Sequence, residues 1–179
     1  MSNLVRLSIS TEFITQRVIP TANELGCGYR VEQLSPTQVI ELSIARRTAG
    51  LALAPWETEI LRQGAVQRHQ IGDGFEPWEV GDAYGSGCRV WLYLALAWLL
   101  ERATSTADPL GIVEMLYADF GYPEEIKGLV RWMPAEPGQE LGVPAIERRW
   151  RTYVEQTGAE FRDRTDRMLR TSADIDGDS

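Results

Sequence analysis

Apolar positions recur every three to four residues along most of the chain, and that spacing predicts helices. In LSPTQVIELSIARRTAG, Val39, Ile40, Leu42 and Ile44 supply an apolar side. Ser35 offers an N-cap hydroxyl, Pro36 fits the first helical position, where its missing N–H is no loss, and Gly50 ends the run. Ala54-Pro55-Trp56 repeats the start signal, and a short helix with Ile60 and Leu61 runs to Gln63-Gly64. An earlier helix over 11–26 carries Phe13, Ile14, Val18 and Leu25, is interrupted at Pro20, and is ended by Gly26 and Gly28. Residues 1–10 alternate weakly, as a single edge strand would.

The second half follows the same logic. Ser86 caps a helix over about 87–103 whose centre, VWLYLALAWLL, is apolar on every side, the mark of a core's central element. Eleven residues rise about 16 Å, roughly half a bilayer's hydrocarbon, so this is a buried helix and not a membrane span. Asp108 and Pro109 start the next helix, with Ile112, Leu116 and Phe120 on one face beside Val113 and Tyr117. YADFGYPEEI, 117–126, then reads as a junction. Gly121 suits a left-handed C-cap, Pro123 opens a new helix, and Glu124 and Glu125 fall in its first turn, where the macrodipole favours negative charge. Adjacent helical positions point about 100° apart, so these glutamates do not converge on a substrate. Ile126, Leu129, Val130 and Met133 make its apolar face, with Lys127 and Arg131 on the polar side. After a loop at 134–144 a long amphipathic helix carries Ile146, Trp150, Val154, Phe161 and Met168, with Gly158 placed to bend or divide it. The expected fold is all-α: a single compact domain over 1–170 of six or seven helices around the buried central one, with 171–179 a disordered acidic tail.

Composition narrows the functional classes. The 179 residues carry 26 Asp+Glu against 18 Lys+Arg, a net charge of -8. Such a chain is repelled by phosphate backbones, so the expected partner is a protein, better basic than acidic, and neither nucleic acid nor a membrane. Charge alternates in the last helix, where acids interleave with Arg148, Arg149 and Arg151; this reads as a salt-bridged face. No secretory leader opens the chain, and a cytoplasmic protein is expected. Cys27 and Cys88 are expected to be buried free thiols, and with His69 they lack metal-ligand spacing. No phosphate loop, calcium loop or cofactor fingerprint is present, so no cofactor or metal is expected and no catalytic residue is assigned. The oligomeric state is not legible.

One stretch carries candidate chemistry. GDGFEPWEVGDAYGSG, 72–87, holds Asp73, Glu76, Glu79 and Asp82 without a compensating cation, interleaved with Phe75, Trp78 and Tyr84. An acidic rim around aromatic rings suits a basic protein partner, the rings giving contact area and the charges steering encounter. The same pattern arises if Phe75 and Trp78 fold back onto the core while the acids face water.

Together, YADFGYPEEI, the VRWMP block at 130–134 and WLYLA at 91–95 resemble the signature of a bacterial domain family of unknown function. Trp150 and Tyr153 resemble its late aromatic pair. The likeness spans about 86–155, with turn and helix signals alone from 24 to 64; it does not place the 72–87 loop or the arginine-rich C-terminal end. The resemblance implies no established activity and transfers no functional residue. Small acidic proteins of this kind are often immunity proteins beside secreted toxins, which makes toxin binding the leading expectation. The alternatives are a helical enzyme using Asp119 or Glu124 near Tyr117, and a subunit stable only within a complex.

Overall fold

A computed structural model of the protein describes residues 5–65 and 85–176, the side chains of 85, 86 and 173–176 excepted. Seven α-helices lie in this part: α1 (Thr11–Thr15), α2 (Ala22–Arg30), α3 (Pro36–Thr48), α4 (Pro55–Gln63), α5 (Gly85–Glu101), α6 (Pro109–Asp119) and α7 (Val143–Asp176). A 3₁₀ turn (Ala103–Ser105) follows α5, and a 3₁₀ helix (Glu124–Leu129) follows α6. No strand occurs among the described residues. The protein is one all-α domain.

α5 is the axis of the core. Its residues 90–97 are buried without interruption, and α2, α6 and α7 pack around it. Two glycines set how closely. At Gly28 an added β-carbon would stand 2.6 Å from Trp91 Cζ2 and 2.7 Å from its Nε1, and at Gly158 one would stand 2.8 Å from the Tyr93 hydroxyl. Gly158 does not divide α7, which runs unbroken through it. Likewise Gly26 and Gly28 sit inside α2 instead of ending it. The Trp91 indole N–H also donates to the Glu24 carbonyl at 2.7 Å, binding α5 to α2 through the gap that Gly28 leaves. α2 is closed by Glu32 at φ 56°, with the Gln33 amide reaching back to the Gly28 carbonyl at 2.8 Å.

Several local expectations hold. Pro20 separates α1 from α2, and Ser35 caps α3 in a reciprocal pair with Gln38. Others are corrected. The described residues 5–10 form no strand; Val5 and Ile9 are buried in the core. The cysteines are not free thiols: Cys27 of α2 and Cys88 of α5 are joined as a disulfide, Cα to Cα 5.8 Å, within the usual span for such a bridge. The new helix after Pro123 is a 3₁₀ helix, with Pro123 at its N-cap. Residues 171–176, expected in a disordered tail, continue α7.

Buried charge ties the outer helices down. Arg46 of α3 donates to Glu57 of α4 at 2.8 Å and to the carbonyls of Pro20 and Ala52 at 2.7 and 3.0 Å. The second Glu57 oxygen accepts the Ala54 amide at 2.8 Å, and both side chains are almost fully enclosed. Across the molecule Arg164 of α7 grips Glu24 of α2 with two bonds, 2.6 and 2.9 Å.

Candidate functional site

The contact residues expected from the sequence, Asp73, Phe75, Glu76, Trp78, Glu79, Asp82 and Tyr84, lie outside the described residues, as does His69. The described part presents a different candidate, built on the junction between α6 and the 3₁₀ helix.

α6 ends in a reciprocal backbone closure. The Gly121 amide donates to the Ala118 carbonyl at 3.1 Å and the Tyr122 amide to the Tyr117 carbonyl at 2.8 Å, the pairing of a Schellman turn. Gly121 takes φ 71°, as expected, and Tyr122 follows at φ 62°. The second value is the unusual one. A β-carbon meets the following carbonyl there, at about 1–2 kcal/mol, so bulky residues seldom adopt it. The turn throws the Tyr122 ring outward, 61% exposed, and the chain leaving the 3₁₀ helix brings up Trp132, 60% exposed. Both rest on Tyr117, itself 4% exposed: Tyr122 edge-on at 5.3 Å between ring centres, Trp132 tilted at 5.9 Å. Two large rings thus stand in water on a buried third.

Three ion clusters involve the segment that carries the two rings, each one cation held by two carboxylates. Arg131, beside Trp132, meets Glu114 at 2.9 Å and Asp108 at 3.1 Å. Lys127 meets Glu124, two residues after Tyr122, and Glu136 at 3.1 Å. Arg89 of α5 meets Glu125 at 2.9 Å and Glu160 of α7 at 2.7 Å. The bonds to Glu114 and then Asp108 raise the Arg131 pKa, and those to Glu124 and then Glu136 raise that of Lys127. Conversely, Glu114 is held below the ordinary carboxylate range by Arg131, and Asp108 by the Gly111 amide and then Arg131. Burial lowers the Arg89 pKa, but its two carboxylates together outweigh that and raise it. Beneath this last cluster the Tyr153 phenol is pushed up by burial, with the Glu125 charge adding to it. Each cluster takes a member from 122–136, the segment carrying both exposed rings. Arg149 adds a fourth cation, donating to the Gly128 and Glu140 carbonyls at 2.9 and 3.0 Å. Six carboxylates and four cations take part in these contacts.

The carboxylates of the enzyme alternative do not come together. Asp119 is buried and accepts the Val5 amide at 2.9 Å, whereas Glu124 is exposed and bound to Lys127. Glu124 and Glu125 diverge, as their adjacency requires, one to Lys127 and the other to Arg89. Among the described residues no three His, Cys, Asp or Glu side chains gather in a way that could hold a metal ion. No helix there is long and apolar enough to cross a membrane.

Sequence reasoning accounted for every residue of 117–126 as cap or core and so passed over the rings. The available signal was Trp132 between Arg131 and Met133, and Tyr122 wedged between Gly121 and Pro123. Tyr122 falls where a turn was expected, and Trp132 falls off the apolar face of the helix expected after Pro123.

The fold and this face define a small all-α domain. A family model described as an uncharacterized protein conserved in bacteria, DUF2247, matches residues 11–158, and the chain belongs to that family. Neither a curated protein nor a solved structure matches the chain.

Proposed function

We propose that the protein acts by binding another protein through the face of Tyr122 and Trp132, and that this partner is a toxin domain which it blocks, as an immunity protein would. One observation carries the binding reading: two large rings are held out in water on a buried third, one of them at a left-handed φ that disfavours a bulky side chain. Tyrosine and tryptophan dominate binding hot spots because they bury much area at little rotamer cost, and backbone strain of this kind collects at functional surfaces. The toxin half rests on the acidic balance of the chain, -8, and on the kinship of small acidic bacterial proteins with immunity proteins. The acidic aromatic run 73–84 is proposed as a second part of the contact surface. For it, Glu76→Lys together with Glu79→Lys slows association at low salt.

The cytoplasm is the proposed compartment, because an immunity protein guards the cell that makes the toxin. The Cys27–Cys88 bridge argues the other way, since disulfides are rare in reducing compartments. A thiol count on protein taken from cells decides between them.

The experiment is affinity capture from the native host's lysate, using the wild type and a Tyr122→Asn/Trp132→Ala variant whose helicity has been checked. One stoichiometric partner held by the wild type and lost by the variant is expected. No partner, or one retained equally by the variant, contradicts the assignment.

A further inference from the structure

α7 and the α3–α4 connection do not close completely against each other. A cleft of about 420 Å³ remains between them, within the size range of small-molecule sites. Arg46 of α3 and Arg164 and Arg167 of α7 line it, and no carboxylate does among the described residues. On a chain of net charge -8, a lining whose only charged side chains are cations runs against the composition. Two of the arginines are fixed in place. Arg46 is held by Glu57 and by the Pro20 and Ala52 carbonyls, and Arg164 by both oxygens of Glu24. These bonds use three of the five N–H groups of Arg46 and two of those of Arg164. The Arg164 Nε–H is enclosed, so its Nη groups are what it can offer a ligand. Arg167, by contrast, is exposed and pairs with no carboxylate among the described residues. Glu57 and Glu24 neutralise the first two arginines, and the cleft is left with the one uncompensated charge of Arg167.

The rest of the wall is mostly apolar, supplied by Leu51, Ala52 and Met168. The Thr171 and Ser172 hydroxyls also line it, but they donate to the Arg167 and Met168 carbonyls at 3.0 and 3.2 Å, which leaves the arginines as the donors. We propose that this cleft binds a small organic carboxylate with an apolar body, its carboxylate on Arg167 with Arg46 and Arg164 adding Nη donors, and its body against Leu51 and Met168. A single uncompensated charge suits a carboxylate better than a phosphate dianion. Guanidinium presents paired N–H groups that match the two oxygens of a carboxylate, and it is less strongly hydrated than an ammonium. Arg46 and Arg164 are already ordered by their own partners, so little freedom is lost there on binding. The site shares no residue with the aromatic face and does not rest on the binding function above.

The test uses the full chain and three probes: hexanoate, its neutral counterpart hexanamide, and acetate, which keeps the charge and drops the body. The reporter is the Met168 methyl signal in the carbon–proton NMR spectrum. The chain has 4 methionines, and this signal is identified by its disappearance in Met168→Leu. Hexanoate is expected to move it saturably, with a dissociation constant on the order of millimolar, as a ligand of that size implies. Hexanamide and acetate should each bind about tenfold more weakly or worse, since one loses the charge-assisted bonds and the other the apolar contact. Arg167→Gln, at an exposed position and checked for unchanged helicity, should weaken hexanoate by a similar factor and leave hexanamide unaffected. No saturable shift with hexanoate overturns the proposal. So does equal binding of hexanoate and hexanamide, which would make the cleft merely apolar. Acetate binding as well as hexanoate would mean an adventitious ion only, and hexanoate binding unchanged in Arg167→Gln would remove the arginine that carries the charge; either result overturns it too.

Discussion

Gly28 and Trp91 meet across the crossing of α2 and α5 with no room for a β-carbon between them. The indole fills the space a side chain at 28 would need and donates to the Glu24 carbonyl one turn earlier. Gly28→Ala is therefore expected to destabilise by about 1–3 kcal/mol, the range for overpacking a closed core, although alanine is the better helix former. Gly128→Ala is the control, because the nearest atom to its new methyl is 3.6 Å away. Urea denaturation of both variants checks this. Equal midpoints would show that α2 can shift away from α5.

The Arg46–Glu57 pair makes a second prediction. Arg46→Met leaves the Glu57 carboxylate enclosed with only the Ala54 amide of its present bonds, and removing one partner of a buried pair costs about 3–5 kcal/mol. Replacing both, as Arg46→Met/Glu57→Leu, should recover part of that loss. A double-mutant cycle by denaturation measures it. Additive losses would mean that the two side chains do not stabilise each other.

Acid should loosen the aromatic face before it unfolds the core. Asp108 and Glu114 are both held below the ordinary carboxylate range. A group with a depressed folded pKa contributes stability that is full above its unfolded pKa and is lost as pH falls through the folded value. The Arg131 clamp is thus complete above about pH 5 and is lost as pH falls below the ordinary carboxylate range. Trp132, the next residue, reports it: a fluorescence change in that window is expected, absent in Trp132→Phe and smaller in Glu114→Gln. A change unaffected by Glu114→Gln would assign it elsewhere.

The buried carboxylate that an enzyme would use has a structural prediction instead. Asp119 holds the N-terminal segment through the Val5 amide. Asp119→Ala should cost about 1–2 kcal/mol, as expected when a buried donor loses its acceptor, and should speed hydrogen exchange at Val5. Unchanged exchange would mean that the segment is held by Val5 and Ile9 packing alone.

Much of this fold was readable because its signals are local. Ser35 with Pro36, Asp108 with Pro109 and Gly121 each satisfy backbone groups within a few residues, so the residue type announces the position. What was misread depends on distant partners. Gly26 and Gly28 look like helix stops until Trp91 is placed against α2. Cys27 and Cys88 are 61 residues apart, and nothing near either says that they meet. Val5 and Ile9 alternate like a strand but face the core without a strand to pair with. The candidate site was hidden for a related reason. A Schellman turn explains Gly121 completely, and so explained away Tyr122, whose left-handed φ and outward ring appear only in three dimensions.

The most direct measurement pairs stability with binding in Tyr122→Asn. Asparagine accepts the positive φ at lower cost, while the lost ring gives up its edge contact with Tyr117, a pair worth about 0.5–1.5 kcal/mol. The two effects oppose each other. A ring kept for binding therefore predicts stability within about 1 kcal/mol of the wild type, together with loss of the captured partner. A variant that loses well over 1 kcal/mol yet still holds the partner would make Tyr122 a packing residue and contradict the account.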